Sequence, residues 1–226
     1  MEASTGWELR NTDSDDIEDL LLEVERSLNV KFSNSDFKCV KTFGELCSVI
    51  KNKVEGIESN DCTTQQAFYK LREAFARALL VDKLSITTDS QLEILFPKKE
   101  RRRQIKDAET ILGFELDVLS PKDWITTVLA FSLLSSIIGL AINWKIAIVA
   151  LALSLLGMCL AYKLGKEFKS STVGKLAERI SREKYTASRR NSSTINKNEI
   201  EQKVKELFKH RLSLEDSELT KEAALF

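Results

Sequence analysis

Two apolar runs that nearly touch set the outer limits on what this chain can fold into. Trp124 to Trp144 contains no charged residue, and after Lys145 the stretch Ile146 to Tyr162 is again free of charge. Each is close to the roughly 20 residues that a helix needs to cross a bilayer. Residues 122–164 therefore read as a transmembrane hairpin. A helical hairpin buried in a soluble core is the alternative, but neither run carries a polar stripe. Ser120 and Pro121 are placed to cap and begin the first span, and the Trp residues stand where an interfacial belt would hold them. KKERRR, from Lys98 to Arg103, and Lys122 precede the pair. Lys163, Lys166 and Lys169 follow it, and only Lys145 falls in the turn. The positive-inside rule then expects an integral protein of the cytoplasmic membrane with two spans and both termini cytoplasmic.

The same basic run suits contact with anionic lipid. A nucleic-acid partner is not expected, because the 34 Lys and Arg are balanced by 34 Asp and Glu. Locally the balance is uneven: residues 1–60 hold 13 Asp plus Glu against 7 Lys plus Arg, a net of 7 − 13 = −6. MEASTGWELRNTDSDD offers no apolar stretch of the kind a cleavable signal requires. Cys39, Cys47, Cys62 and Cys159 show no CxxC spacing and read as reduced, mostly buried thiols. With His210 the only histidine, set between Lys209 and Arg211 on a polar helix face, no metal site is expected.

Outside the hairpin the pattern is that of short amphipathic helices. From about Asp16, residues Ile17, Leu20, Leu21, Val24 and Leu28 form one face, while Asp15, Asp16, Glu18, Asp19, Glu23 and Glu25 crowd the helix start, where the dipole favours them. Thr42 and Glu45 make a capping box for a second helix with Phe43, Leu46, Val49 and Ile50 on its apolar side. Two helices this short cannot enclose a core. At the other end of the chain, Asn196 and Glu199 form a capping pair ahead of Ile200, Val204, Leu207, Phe208 and Leu212. Five such side chains left in water would each forgo roughly 1.5 to 3 kcal/mol, so this stripe should dock elsewhere in the chain.

The stretch DSDDIEDLLLEVERSLNVKFSNSDFKCVKTFGELCSVI resembles, without a gap, helices two to four of an acyl carrier protein. Leu28, Asn29 and Val30 stand where that family has F-G-I, and Thr42, Phe43, Gly44 and Glu45 where it has T-V-G-D. Helix one is missing from this position. Ile200 to Leu212 is similar to it, and LSLEDSELTKEAALF is like the loop that follows it. The resemblance implies a circularly permuted, all-α carrier: a four-helix bundle assembled from residues 1–56 and 194–226, whose adjoining ends are what permutation requires. A separate C-terminal hairpin, or a helix that completes another copy by swapping, would give the same pattern.

A weaker second copy lies between. Phe68, Leu71, Phe75 and Leu79 form a face like helix one, ITTDSQLEILF resembles the loop, RRRQIKDAETILGFEL ends on a similar exit, and TVGKLAERI mirrors TFGELCSVI. Residues 63–120 and 170–186 would then make a second helical unit with the hairpin inserted near its third helix; a generic helical connector is the alternative.

In carriers, the serine that opens helix two bears a 4'-phosphopantetheine arm, whose thiol holds the acyl group; the fold supplies position and shelter, the cofactor the chemistry. Ser14 falls on that position, with Asp13 before it as the family has. Asp15 departs from the pattern, since the family places an apolar residue there and a carboxylate opposes an incoming phosphate. Ser14 also serves, with Asp13, as an ordinary helix cap. The resemblance implies that Asp15, Asp16, Glu18, Asp19 and Glu23 dock acyl-handling enzymes, or other proteins with basic surfaces. In the second copy the equivalent position falls near Lys98. No glycine loop for phosphate, histidine-based nucleophile pair or metal cluster points to catalysis by the chain itself, so it reads as a carrier or adaptor rather than an enzyme.

Overall fold

The structure is a computed structural model and describes residues 14–225, the side chain of Ser14 excepted. The chain is predominantly helical. In order it runs α1 (Ser14–Leu28), α2 (Phe43–Lys53), β1 (Ile57–Glu58), α3 (Thr63–Leu79), α4 (Leu92–Leu95), α5 (Arg101–Leu112), β2 (Leu119–Ser120), α6 (Asp123–Gly139), α7 (Trp144–Leu164), β3 (Glu167–Phe168), α8 (Val173–Glu183), α9 (Tyr185–Ser188), β4 (Thr194–Ile195) and α10 (Lys197–Leu212). It divides into two compact units: unit 1 comprises 14–73 and 174–225 of the described residues, unit 2 comprises 74–173.

Unit 1 has one core drawn from both ends of the chain. Leu20, Val24 and Leu28 of α1, Phe43, Leu46 and Ile50 of α2, and Ile200, Val204, Leu207 and Phe208 of α10 are its buried members, with Leu214, Leu219 and Leu225 closing it from the C-terminal loop. The rings of Phe43 and Phe208 meet edge to face at 5.2 Å, a geometry that suits the aromatic quadrupole. The apolar stripe of α10 is thus covered by α1 and α2. Thr42 and Glu45 form the capping box read from the sequence, and a backbone bridge joins Thr42 to Ala224. Gly44 sits where a Cβ would come within 2.8 Å of the Lys221 carbonyl oxygen. Only glycine lets the C-terminal loop pass this close.

Two expectations at the ends of elements need correction. Asn196 caps α10 by accepting from the Asn198 amide, but Glu199 does not reach back to complete a capping pair. Its carboxylate instead accepts from the Thr63 hydroxyl at 2.7 Å and the Thr63 amide. Of the four cysteines only Cys47 is buried; Cys39, Cys62 and Cys159 are exposed. Burial drives the Cys47 thiol up to about 12, which makes it inert at neutral pH.

In unit 2, β2 and β3 pair antiparallel, Leu119 with Phe168 and Ser120 with Glu167, and so close the base from which α6 and α7 emerge. This pairing takes Ser120 out of the capping role expected of it: α6 starts at Asp123, with Lys122 at the cap position and no side-chain cap. α6 and α7 pack along each other through small residues. The hydroxyls of Ser132 and Ser154 meet across them at 2.8 Å, and Gly157 lies against Leu129. Outward side chains such as Phe131, Ile138, Ile146 and Leu153 are exposed. The two apolar runs become unequal helices, because α6 ends at Gly139 and a turn carries the chain to Asn143, which caps α7. Among the described residues α7 is the one helix long and apolar enough to cross a membrane, and only 11% of its most apolar 18-residue stretch is buried. A core helix of a soluble domain would be mostly covered. Trp124 and Trp144 open α6 and α7 and are both exposed.

The same local devices recur along the chain. In α1, Glu25 accepts from the amide of Phe32, seven residues on, across a left-handed Asn29. In α5, Glu109 accepts from the amide of Leu116, again seven on, across a left-handed Gly113. Phe43 donates to Ala223 and Leu225 to Lys41; Val173 donates to Ser90 and Leu92 to Ser171 in the same paired arrangement. α10 and α3 each lead into a left-handed residue, Ser213 and Leu80.

Candidate functional site

The candidate site is the head of α1 and the surface beside it. Asp13 lies outside the described residues, as does the Ser14 side chain. Beyond them Asp15, Asp16, Glu18 and Asp19 are exposed, while Ile17 and Leu20 turn inward. Four carboxylates so close together suit a helix N-terminus and give the outer face a negative field. Glu23, expected to belong to this face, is drawn aside by Arg211 of α10, whose Nε lies 2.6 Å from its carboxylate.

Beside these carboxylates, and with Glu18 at its edge, a largely apolar cleft of about 460 Å³ opens between the helix and the segment that leads to α2. Ile17, Leu21 and Leu22 form one wall, Phe32 and Phe37 the other, with Leu46 and Leu225 below. The two phenylalanine rings stand 5.2 Å apart. A volume in this range is what small apolar ligands occupy.

Two carboxylates pin the outer wall. Glu25, buried at 7% exposure, accepts from the Phe32 amide at 2.5 Å and from Lys31. The amide bond, then the lysine, hold its carboxyl below the ordinary glutamate value, against the opposing effect of burial. Asp36 accepts from Lys53 and from the Ser33 amide, both at 2.8 Å, and is held low by the lysine first. A carboxyl with a depressed folded value contributes stability above its unfolded value and loses it as pH falls through the folded one. The 31–40 wall is therefore expected to loosen in acid, below about pH 4. Glu25→Gln should loosen it at neutral pH and flatten the acid dependence. Amide exchange of residues 30–40 against pH measures this, and an unchanged profile in the variant would rule out Glu25 as the pin.

The exposed acidic face matches the sequence reading, but Glu25, counted there with the helix start, is buried near the end of α1 and bonds the Phe32 amide, and Tyr185 and Arg189 were not foreseen. Tyr185 lies in the unit 1 core, its amide donating to Ser27 Oγ and its hydroxyl accepting from the Asn196 amide at 2.8 Å. Arg189 is fully buried; its Nη1 donates to Thr63 Oγ1 at 2.6 Å and its Nε to Thr194 Oγ1. The one available signal was the repeated Glu before each helix exit, in VERSLNVKF and AETILGFEL.

No family model matches the chain, and neither a curated protein nor a solved structure is significantly similar to it.

Proposed function

We propose that this chain is a membrane-anchored protein of carrier-like fold, whose unit 1 presents the acidic face of α1 to partner proteins with basic surfaces at the cytoplasmic side. The observation that carries this reading is the head of α1, where the exposed carboxylates of Asp15, Asp16 and Asp19 adjoin a largely apolar cleft that Ile17 and Glu18 help to line. An acidic docking surface beside an apolar shelter is the arrangement that a carrier of apolar groups needs. The packing of both chain ends into one core and the recurrence of the same local devices support a permuted carrier fold present twice. α7, with its uncovered apolar surface, supports the anchor, and the shorter α6 would complete a two-span hairpin by local thinning of the bilayer and snorkelling of its flanking Lys122.

The surroundings of Ser14 fit a 4'-phosphopantetheine arm only in part. The cleft suits an acyl chain, but the exposed carboxylates that follow Ser14 set a field opposed to a phosphate and make no cradle for it. A second reading is an adaptor that uses the fold without an arm; in the weaker second copy read from the sequence the equivalent position falls near Lys98, which pairs with Glu167 at 3.1 Å, with no serine there.

The intact mass of protein from its native host separates the two. A phosphopantetheine increment on the peptide spanning Arg10 to Arg26, removed by Ser14→Ala, makes the chain a carrier. A bare mass leaves the adaptor, and Ser14→Ala then costs at most about 1 kcal/mol of helix stability. Reversal of Asp16, Glu18 and Asp19 together should abolish capture of basic partners in either case. If capture persists, α1 is not the docking face.

A further inference from the structure

We propose that the basic face of α5 and the base of the hairpin form a docking surface for anionic lipid headgroups, which holds unit 2 in one orientation on the leaflet it adjoins. The inference rests on the membrane reading above and adds a lipid class and a fixed pose.

α5 is bolted to the end of α7. Arg101 is buried at 1% exposure; its Nε donates to the Phe96 carbonyl at 2.8 Å, its Nη1 to the carbonyl of Lys166, and its guanidinium stacks over Phe168 at 4.5 Å. Arg102 donates to the carbonyl of Lys163, in the last turn of α7. Gly165 follows α7 directly, and a Cβ there would lie 2.4 Å from the Ser120 carbonyl carbon. With β2 and β3 paired just beyond, no slack separates the apolar helix from the unit it supports.

This attachment places the cations of α5 at the level where the apolar surface ends. Lys99, Arg103 and Lys106 are exposed on or beside α5, and Lys122, Lys163 and Lys166 are exposed around the hairpin base. The acidic groups among them are already engaged in part: Glu100 with Arg103, Glu167 with Lys98, and Asp117 with Lys169. Glu93, Asp107, Glu115 and Asp123 are exposed as well, and Arg103 is shared with Glu100; the cations beside the end of α7, Lys99, Arg102, Lys122, Lys163 and Lys166, carry the positive field. Leu164 and Trp124 are exposed next to this rim, so one continuous surface passes from apolar to indole to cationic. That sequence matches the section through an anionic leaflet.

The full chain, reconstituted in vesicles of phosphatidylcholine alone or with phosphatidylserine, tests the surface by amide exchange. Peptides covering 99–112 are expected to exchange at least about fivefold more slowly on the anionic vesicles, the factor that one basic residue near such a surface supplies. High salt should erase the difference, as should Lys99→Glu with Arg103→Glu and Lys106→Glu, which leaves Arg101 and Arg102 in place. Lys106→Gln alone should reduce it, which keeps the test open if the triple variant unfolds. Protection of α6 and α7 on both vesicles with α5 indifferent to lipid charge would overturn the surface and leave the anchor standing. Free exchange of α6 and α7 on both would overturn anchor and surface together. Equal slowing on neutral vesicles by inorganic phosphate would assign the cations to soluble anions and overturn the lipid assignment.

Discussion

A chain cut after Asn191 is expected to lose unit 1 as a folded body while α6 and α7 remain helical. The cut removes Ile200, Val204, Leu207 and Phe208, each at most 2% exposed, together with Leu214, Leu219 and Leu225 from the same core. What remains of the core, on α1 and α2, has no apolar partner of comparable size. Even Phe208→Ala should cost about 3–5 kcal/mol, a large share of the roughly 5–15 kcal/mol that holds a domain together. Amide exchange reads the result directly: α1 and α2 should be protected in the full chain and open in the truncated one. If they stay protected, the contribution of α10 is dispensable. A soluble chain in which 174–226 precedes 7–73 through a short linker should restore the protection. It has to carry Tyr185 and Thr63 as well as α10, because the tyrosine is a core residue that ties Ser27 to Asn196 and the threonine is the partner of buried Arg189.

Arg101→Ala should have the second largest effect, confined to unit 2. The guanidinium satisfies carbonyls of Phe96 and Lys166 and covers the Phe168 ring. Charge-assisted hydrogen bonds contribute about 1.5–3 kcal/mol each, so a loss of at least about 3 kcal/mol is expected on removing them together. Arg101→Lys should recover little, since an ammonium cannot match a planar fork that spans several acceptors and lies flat on a ring. Limited proteolysis of the solubilised protein within 97–120 would show the loosening; a wild-type cleavage pattern in both variants would mean the anchor lies elsewhere.

Much of the helical layout was legible because each signal was local. Thr42 and Glu45 declare a capping box three residues apart, and Ile200 to Phe208 declare a face by their spacing. The unequal lengths of α6 and α7 were not legible, since both runs are equally apolar and only the turn from Gly139 to Asn143 decides where helix stops. Ser120 was misread for a related reason: a serine before a proline is a cap until a distant strand claims it. Arg101 and Arg189 were invisible because their partners are backbone carbonyls and hydroxyls, which leave no mark in the pattern of residue types. Beside the candidate site, the acidic face was plain, while the cleft depends on Glu25 reaching an amide beyond its own helix.

The construction of unit 1 from both ends makes the order of synthesis matter. α1 and α2 leave the ribosome well before α10, which covers them. At ~5–20 residues per second, roughly ten to thirty seconds pass before α10 emerges. During that interval the apolar faces of α1 and α2 are bare. In sequence order the pairings close from the inside outward: α6 on α7, then β2 on β3, and α10 onto α1 and α2 after both. Such nested, distant pairings fold slowly. The interval leaves these faces open to holding chaperones in general, and depleting them should lower the yield of folded unit 1.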